Sequence, residues 1–446
     1  MRESLCRKKT KKDSQKTAIL AEIVEKVSQL AKDEIELDAG LDELETGLTT
    51  LLDQIRQRVT QGLLEKQDAD SQACSCGCSM INKQRLKREV IGLVPYTFHR
   101  RSFYCPSCQI YKCPLDNKMR VSGRYTLEVK SAIVLLGQRI PFEEASSFLQ
   151  QLMGVGVSHE CIQTIVEAIG KKIYQDEKRK VRSKVNINGS IKMWDSNGSA
   201  SRPGTAYLEI DGCMVQTREE GWKEVRNGVL FRNQDRVQPD KHHKRILKKK
   251  YFSVFNRRDD SLNAFKDRAT QEAYDFGFHQ YQEPVIIGDG AKWIWDYAST
   301  QHPYATQILD YYHASEYLGD ALQSIIGLNS KASVALNTQL FDWLSDGQIR
   351  PIIKSLNKQR STEKIEDCIR YFENNIDRMK YNLYKDKGFD IGSGSIESAH
   401  RAIVQSRMKL AGMHWGKNNV QSIVSLRAKY LSDEWNCIVA HYLKAA

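Results

Sequence analysis

The feature that most constrains the fold is a succession of three strand-like segments, a helix and an apolar strand between residues 206 and 290. In order, the segments read AYLEIDGCMVQT, GWKEVRNGVLFR, KKKYFSVFNR, DDSLNAFKDRATQEAYDFGF and PVIIGDG. Alternating apolar and polar residues indicate half-buried strands, whereas a short apolar run bounded by turn residues indicates a strand buried on both faces. This order predicts an α/β layer domain, in which helices pack on a sheet.

The chain length predicts more than one domain, because a single hydrophobic core stops growing well before 446 residues. A polar, glycine-containing stretch marks a boundary near 185–204. We predict a multidomain α+β protein with five parts. These are an N-terminal helical region (1–69), a zinc-ribbon-like module (70–120), a helical, helix-turn-helix-like module (121–185), an α/β domain (205–320 and 386–446), and a helical insertion within it (321–385).

The N-terminal region has helical periodicity. Residues 17–66 contain no proline, and apolar residues recur there at spacings of three and four, which predicts one helical stripe. The stripe suits either a coiled-coil dimer seam or packing onto the same chain, and Gly40 and Gly47 weaken the first alternative. The residues of the stripe are Leu37, Leu41, Leu44, Leu48, Leu51, Ile55 and Val59.

Six of the eleven cysteines fall between residues 74 and 113. In a cytosolic chain such clustering favours a metal over disulfides, because thiols stay reduced there and thiolates bind zinc. Cys105 and Cys108 form a CPSC knuckle, and its partner pair must come from Cys74, Cys76 and Cys78, with Cys113 as a spare. The alternative is a small β module with unliganded thiols.

Residues 124–180 read as helices, with a break at Val155, Gly156 and Val157, and Ser158 as the N-cap of the helix that follows. Two helices joined by a tight glycine-containing turn are typical of a helix-turn-helix that enters the DNA major groove. Packed core helices have the same periodicity, so both interpretations remain open.

The charge distribution favours a polyanionic partner. The net charge is +12, and residues 241–258 hold eight Lys or Arg without one acid. Residues 178–184 also contain positively charged residues and no acid. A merely solvated surface would mix its signs, whereas a phosphate footprint concentrates positive charge. The predicted DNA-contacting cations are Lys178, Arg179, Lys180, Arg182, Lys184, Lys244, Arg245, Lys248, Lys249 and Lys250.

Location follows from what the sequence lacks. No apolar run approaches the roughly 18 residues that span a bilayer, and the basic start is not followed by an apolar signal core. We therefore expect a cytoplasmic protein with no membrane partner and, in a bacterial cell, with access to the nucleoid.

Three acids are candidates for a metal site. Asp211 in EIDG and Asp289 in IGDG are each predicted to end a strand, and Glu397 lies in the first turn of a predicted helix. Carboxylates at strand ends can converge on hard divalent cations such as Mg²⁺ or Mn²⁺. Two such ions can activate the attacking oxygen and stabilise the leaving oxygen of a displacement at phosphorus.

Several segments extend this prediction by resemblance. YLEIDG, GWKEVRNGVLF, IGDGAKWIWDYA, ATQILDYYHASEYLGDAL and GSGSIESAHRAIVQSRMKLAGMHW are similar to blocks of the ISKra-type insertion-sequence transposases, a DDE family with a ribonuclease-H-like catalytic domain. The resemblance implies metal-dependent cleavage and strand transfer of DNA, with Asp211, Asp289 and Glu397 as the catalytic acids that hold Mg²⁺ or Mn²⁺. It implies terminal repeats and target DNA as partners, and a homo-oligomer on DNA.

The same resemblance covers Asp310 and His313, which match an Asp-x-x-His signature that follows the second acid in related transposases. His313 is therefore a candidate for contacting DNA, and packing within a helix is the alternative. Two other functions also remain: a DNA-binding regulator without catalysis, and a nuclease that only hydrolyses DNA. Asp310 and Glu316 are alternative third acids.

Overall fold

The computed structural model describes residues 40–119, 121, 123–184, 202–237, 245–256, 261–324, 331–359 and 361–444, together with residues 21, 24, 25 and 28. The chain forms a multidomain α+β structure. It divides into two compact units, one comprising residues 1–163 with 439–446 and the other residues 164–438. None of the described helices is both long and apolar enough to cross a bilayer.

The first unit contains a three-stranded antiparallel sheet. Its strands are β1 (Ile81–Ile91), β2 (Pro95–Cys105) and β3 (Ile110–Lys112), in the order β1-β2-β3. The helices are α1 (Leu41–Gln67), α2 (Pro114–Met119), α3 (Leu127–Gly137), α4 (Phe142–Met153) and the start of α5 (His159–Lys184). Helix α1 confirms the helical prediction from residue 41 onward, and residues 29–39 of the predicted stripe lie outside the described residues.

Helix α1 covers the edge of β2 that β3 leaves open. Gln57 Nε2 donates to the Pro95 carbonyl oxygen and Gln61 Nε2 to that of Thr97, both at 2.8 Å. An open strand edge exposes unpaired backbone groups, so these amides take the place of a neighbouring strand.

The predicted helix–turn–helix elements are present as α4 and α5. Gly154 ends α4 with φ 64°, and Ser158 Oγ accepts from Cys161 N at 3.4 Å, which confirms Ser158 as the cap. Ser146 Oγ donates to the Val157 carbonyl at 2.6 Å and fastens the turn. The boundary between the two units falls inside α5.

The second unit is built on a five-stranded mixed sheet. Its strands are β4 (Arg202–Thr217), β5 (Gly221–Arg232), β8 (Lys250–Phe255), β9 (Tyr281–Gly288) and β10 (Thr306–Leu309), and β6 (Arg236–Val237) pairs with β7 (Arg245–Ile246) separately. The order is β10-β9-β4-β5-β8, with β4, β5 and β8 antiparallel and β9 and β10 parallel to β4. The predicted strands and the helix α6 (Ser261–Phe276) are confirmed, but β10 was not predicted.

Helices complete the second unit. Those before the predicted insertion are α7 (Lys292–Gln301) and α8 (Tyr311–Gln323), and the insertion contains α9 (Lys331–Ser345), α10 (Ile349–Leu356), α11 (Glu363–Asn375) and α12 (Tyr381–Asp386). Its helical character is thus confirmed where the structure describes it. Then follow α13 (Gly394–Ala399), the π-helical segment His400–Gln405, α14 (Ser406–Met408), α15 (Lys417–Leu431) and α16 (Trp435–Ile438).

Helix α15 closes the outer edge of the sheet. Gln421 Oε1 accepts from Phe255 N at 2.8 Å, and its Nε2 donates to the Ser253 carbonyl at 3.2 Å, so a side-chain amide completes the pairing of β8. On the other side of α15, a Cβ on Gly170 would lie 2.1 Å from the Ser422 carbonyl oxygen. Only glycine therefore permits α5 and α15 to pack this closely.

Candidate active site

Asp211, on β4, and Asp289, directly after β9, lie where the parallel pairing of these two neighbouring strands ends. The parallel pairing of β4 with β9 ends at Glu209 and Ile287, and both aspartates follow within two residues. Because the carboxyl ends of parallel strands meet at one sheet edge, this arrangement brings their side chains into electrostatic contact. The negative charge of Asp289 accordingly raises the pKa of Asp211.

The prediction that a strand ends at Asp211 is wrong. Strand β4 continues to Thr217, and Asp211 pairs with Asn227 in the middle of the antiparallel hairpin with β5. The Asp-Gly pair is not a turn here. A Cβ on Gly212 would lie 2.3 Å from Glu224 Oε1, so this glycine leaves room for the Glu224 side chain beside Asp211.

Asp289 begins a sharp turn after β9, as predicted. Gly290 has φ 98°, which strongly favours glycine, and Asp289 Oδ1 accepts from Ala291 N at 2.9 Å. Tyr371 of α11 donates its hydroxyl to the Asp289 carbonyl at 2.6 Å. The helical insertion thus supports the turn that carries the second acid.

Burial sets the electrostatics of Asp211. Desolvation is the largest cause that raises the pKa of Asp211 to about 7; Asp289 adds to it, while the Gly212 N–H and His313 oppose it. A bound cation offsets the free-energy cost of keeping such a carboxylate ionised. The site is therefore suited chemically to a divalent metal.

This shift predicts how the stability of the metal-free protein depends on pH. The folded-state pKa of Asp211 lies above its unfolded value of about 3.9, so its contribution to the free energy of unfolding falls as pH rises from about 4 to about 7. Asp211→Asn should therefore stabilise the metal-free protein more at pH 8 than at pH 4, measured by urea denaturation. An equal difference at both pH values would contradict the shift.

Glu397 and His400 lie one turn apart at the start of the helical path that follows residue 393. The Glu397 side chain is exposed, whereas His400 is buried, and its Nδ1 lies 3.7 Å from Asp211 Oδ2. Burial is the main cause that lowers the pKa of His400 to about 4, so its imidazole is neutral at pH 7. Within the described residues, the ligand atoms of Asp211, Asp289 and Glu397 are not gathered within 4.8 Å of one another.

The alternative third acids differ in their availability. Asp310 is fully buried; its Oδ1 accepts from Tyr312 N at 2.7 Å, and its Oδ2 accepts from Ser393 N at 3.1 Å and from the Ser393 hydroxyl. Both oxygens are thus committed to backbone and hydroxyl donors. Glu316 is exposed and lies 3.4 Å from His313 Nδ1, so that His313 is held at the surface of α8 beside the acids.

Sequence reasoning missed two residues beside Asp211. His400 carries a weak signal, since it follows Glu397 by three residues and therefore shares its helix face, but only the fold shows that this face meets β4. Glu224 carries no sequence signal that we recognise. Its negative charge raises the pKa of Asp211, and Glu224 itself forms an ion pair with Arg226. The π-helical segment that begins at His400 is a feature that often accompanies functional sites.

A second cluster lies in the first unit and consists of four cysteines. Cys74, Cys76, Cys105 and Cys108 place their sulfur atoms within 4.8 Å of one another. The Sγ atoms of Cys74 and Cys108 are 3.8 Å apart, and those of Cys76 and Cys105 are 3.6 Å apart. A tetrahedron with Zn–S bonds of about 2.3 Å has sulfur atoms about 3.8 Å apart. The four cysteines could therefore hold a metal ion such as zinc.

The same geometry resolves the irregular first knuckle. Cys78 turns away, with its sulfur 3.3 Å from Ser107 Oγ, and neither Cys78 nor Cys113 belongs to the cluster. Gly77 and Gln109 have φ values of 89° and 56°, so the chain turns tightly after each pair. The Cys76 backbone N–H is the main cause that lowers the pKa of Cys74 to about 6, whereas the pKa of Cys76 is raised to about 12 because the neighbouring thiols outweigh the Cys78 backbone N–H.

The predicted DNA-contacting cations divide into two groups. Arg245 and Lys248 are exposed. Lys250 instead pairs with Glu434 and lies 3.5 Å from Glu272, and the half-buried Lys249 has its pKa lowered mainly by desolvation. Lys250 is thus paired with acids of the folded chain, and phosphate contacts by Lys248, Lys249 and Lys250 remain a prediction.

On α5, the exposed basic residues already contact their own helix. Lys178 Nζ lies 5.5 Å from the centre of the Tyr174 ring, and Arg179 pairs with Asp176. Lys180 is also exposed. Lys244 and the side chains of Arg182 and Lys184 lie outside the described residues.

Two comparisons place the chain among known sequences. The model of a family described as "Uncharacterised protein family (UPF0236)" matches residues 35–436. The "UPF0236 protein in vanSb 3'region" of Streptococcus gallolyticus is 24% identical over 325 residues. The aligned part is 70% of this chain and 66% of that relative, so the chain spans just under two thirds of the relative's length.

Proposed function

The chain belongs to the uncharacterised protein family UPF0236, and we propose that it is a DNA transposase that cleaves and joins DNA strands with divalent cations. The observation that carries this proposal is that Asp211 and Asp289 follow the last paired residues of β4 and β9 at the same place in a mixed sheet, beside a helix that bears Glu397. Half-buried carboxylates that repel one another are costly for a protein that has no cation to hold there.

The sheet supports a ribonuclease-H-like catalytic domain. Numbered along the chain, the strands β4, β5, β8, β9 and β10 become 1 to 5, and their order across the sheet is then 3-2-1-4-5. The first three are antiparallel and the last two run parallel to the first, as in ribonuclease-H-like domains. The two aspartates that the resemblance assigns lie on the first strand and directly after the fourth strand of this sheet.

The residues have distinct roles in the proposed reaction. Asp211, Asp289 and Glu397 would hold Mg²⁺ or Mn²⁺, which when bound activates the attacking oxygen and stabilises the leaving oxygen at phosphorus. Glu397 is exposed and on a helix, so it can complete the ligand set when the DNA phosphate arrives. His313 lies at the same site and can donate to a phosphate oxygen.

The part of the chain up to the end of α5 is proposed to recognise DNA. The cysteine cluster at the end of the β1–β2 hairpin suits a zinc ribbon, and α4 and α5 suit a helix-turn-helix. The partners are the terminal repeats of the element and the target DNA. Because two ends must be joined to one target, we expect the protein to act as a homo-oligomer on DNA.

Lys248 and Lys250 give a matched pair for testing phosphate contacts. Lys248→Ala should weaken binding to all DNA sequences alike and reduce the salt dependence by about one unit of slope. Lys250→Ala should leave this slope unchanged and lower the free energy of unfolding by about 1 kcal/mol, because Glu272 and Glu434 each lose one of two cationic partners and keep Arg268 and Lys429. Measuring filter binding against salt concentration distinguishes them; equal slopes for wild type and Lys248→Ala would remove this residue from the DNA interface.

A plasmid assay tests the proposed function. A supercoiled plasmid with the element's end sequences should be cut at those ends in Mg²⁺ by the wild type, while Asp211→Ala binds the same DNA without cutting it. A protein that binds the ends but never cuts them would be a regulator, and one that cuts without joining would be a nuclease. Either outcome would contradict the proposal.

A further inference from the structure

Two buried carboxyl groups hold the segment that leads into α13, and burial raises the pKa of one of them, Glu209, to about 8. Glu209 Oε2, on β4, accepts from Ile396 N at 2.7 Å, and Asp310 Oδ2 accepts from Ser393 N at 3.1 Å. Glu209 is 1% exposed and Asp310 is fully buried. The first N–H groups of a helix have no acceptor within the helix itself. Here the additional acceptors are side chains on β4 and at the N-cap of α8, and Ile396 N also donates to the Ser393 carbonyl at 3.0 Å.

We propose that Glu209 and Asp310 are positioning residues that fix α13 against the sheet and so place Glu397 and His400 beside Asp211. This inference rests on the proposed function for its catalytic consequence. Neither carboxylate is assigned to the metal. They act through the backbone of the helix that carries the third acid.

The geometry of β4 explains why Glu209 suits this role. Residues two apart on a strand point to the same face, so Glu209 and Asp211 are presented side by side, about 6.6 Å apart along the strand. The strand that supplies the first acid therefore also anchors the helix that supplies the third. The distance between Asp211 and the helix that carries Glu397 is therefore set by strand β4.

Asp310 joins two helices at once. Its Oδ1 accepts from Tyr312 N at the start of α8, which carries His313, while its Oδ2 holds Ser393 before α13. Tyr311 N also donates to the Ile391 carbonyl at 2.8 Å. Asp310 thus accepts hydrogen bonds both from the start of α8, which carries His313, and from the residue before α13, which carries Glu397.

The glycine before α13 belongs to the same arrangement. A Cβ on Gly392 would lie 2.5 Å from the Tyr312 ring, so the chain approaches α8 more closely than any other residue would allow. Asp390 N donates to the Tyr207 hydroxyl at 3.2 Å, which fastens the segment again on β4. Burying a carboxyl group costs free energy unless donors satisfy it. Both acids meet that condition only while this segment stays in place.

Glu209→Leu and Glu209→Gln form the test pair. Leucine fills the space without an acceptor, whereas glutamine keeps an oxygen that can accept from Ile396 N. In the leucine variant we expect amide exchange in residues 390–399 to speed up about tenfold, as the loss of one hydrogen bond predicts. Mn²⁺ affinity, measured by calorimetry on the full chain, should fall about tenfold.

The catalytic readout separates positioning from general stability. Glu209→Leu should slow cleavage at saturating DNA about 100-fold, as a displacement of about 1 Å predicts, while its DNA affinity stays at the wild-type value. In Glu209→Gln, amide exchange, Mn²⁺ affinity and cleavage rate should all lie close to the wild-type values. If the leucine variant does not fold, Ser393→Ala, which removes one hydroxyl donor to Asp310, should show the same three changes at smaller size.

The possible outcomes are distinguishable. Wild-type exchange, Mn²⁺ affinity and cleavage in the leucine variant would overturn the inference, and so would faster exchange with unchanged Mn²⁺ affinity and cleavage. If the wild type neither cuts nor joins DNA, but exchange and Mn²⁺ affinity change as expected, the proposed function fails and the positioning role stands.

Discussion

Asp211→Ala and Asp289→Ala are each expected to reduce DNA cleavage at least about 10³-fold, because a two-metal site that loses a carboxylate forfeits several kcal/mol of transition-state stabilisation. Specific DNA binding should remain near the wild-type value. The proposed recognition elements lie before residue 185 and in the exposed cations, whereas Asp211 lies on β4 and Asp289 directly follows β9.

Three further acids sharpen this expectation. Asp296 is exposed on α7 and pairs with Lys292, so Asp296→Ala serves as the control and should cut DNA normally. Glu397→Ala should be as inactive as the aspartate variants, and Glu316→Ala should stay active. Near-normal cleavage by Glu397→Ala together with an inactive Glu316→Ala would reassign the third acid. Activity in all of the Asp211, Asp289 and Glu397 variants would exclude a DDE transposase.

Loss of the metal from the cysteine cluster is expected to have the largest effect on folding. Structural zinc contributes about 10–16 kcal/mol to the folding of small zinc domains, and here its ligands bracket the β1–β2 hairpin. The freshly reduced full chain should contain one equivalent of zinc. Chelation should unfold the hairpin, as judged by loss of amide protection in residues 81–105.

The cysteines themselves provide the matched control. Cys76→Ser should lose zinc, whereas Cys78→Ser and Cys113→Ser should keep it, because only Cys76 lies in the cluster of four. Zinc loss of equal size in Cys76→Ser and Cys78→Ser would contradict this assignment. So would less than about half an equivalent in the folded wild type, a value too low for a structural zinc that holds the domain together.

Local patterns in the sequence predict most elements of the second unit. Alternation of apolar and polar residues identifies β4, β5 and β8, and the apolar run before Asp289 identifies β9. Strand β10 is not predicted, because it has only four residues, lies between two helices and is too short to show a periodic pattern. The end of β4 is misplaced because Asp-Gly usually indicates a turn, although the β-type residues that follow continue the strand.

The candidate site is predictable only in part, since its geometry depends on distant residues. Asp211 and Asp289 can be identified from strand and turn signals. His400 cannot, because its contact with Asp211 joins residues far apart in the chain. The role of a residue in the basic run is equally hard to predict from the sequence. Lys250 lies in a run that is typical of phosphate contacts, but in the fold it pairs with Glu434, which lies 184 positions away.

The most direct test of the transposase assignment is a strand-joining assay with purified protein, Mg²⁺, a circular target and a precut duplex that carries the element's terminal sequence. Two donors are compared, one with a 3′ hydroxyl and one with a 3′ dideoxy end, which cannot attack phosphorus. The account predicts joined products from the first donor, none from the second, and none from either donor with Asp211→Ala. Bound donor without joined products in the wild type, or products that persist with the dideoxy donor or with Asp211→Ala, would contradict it.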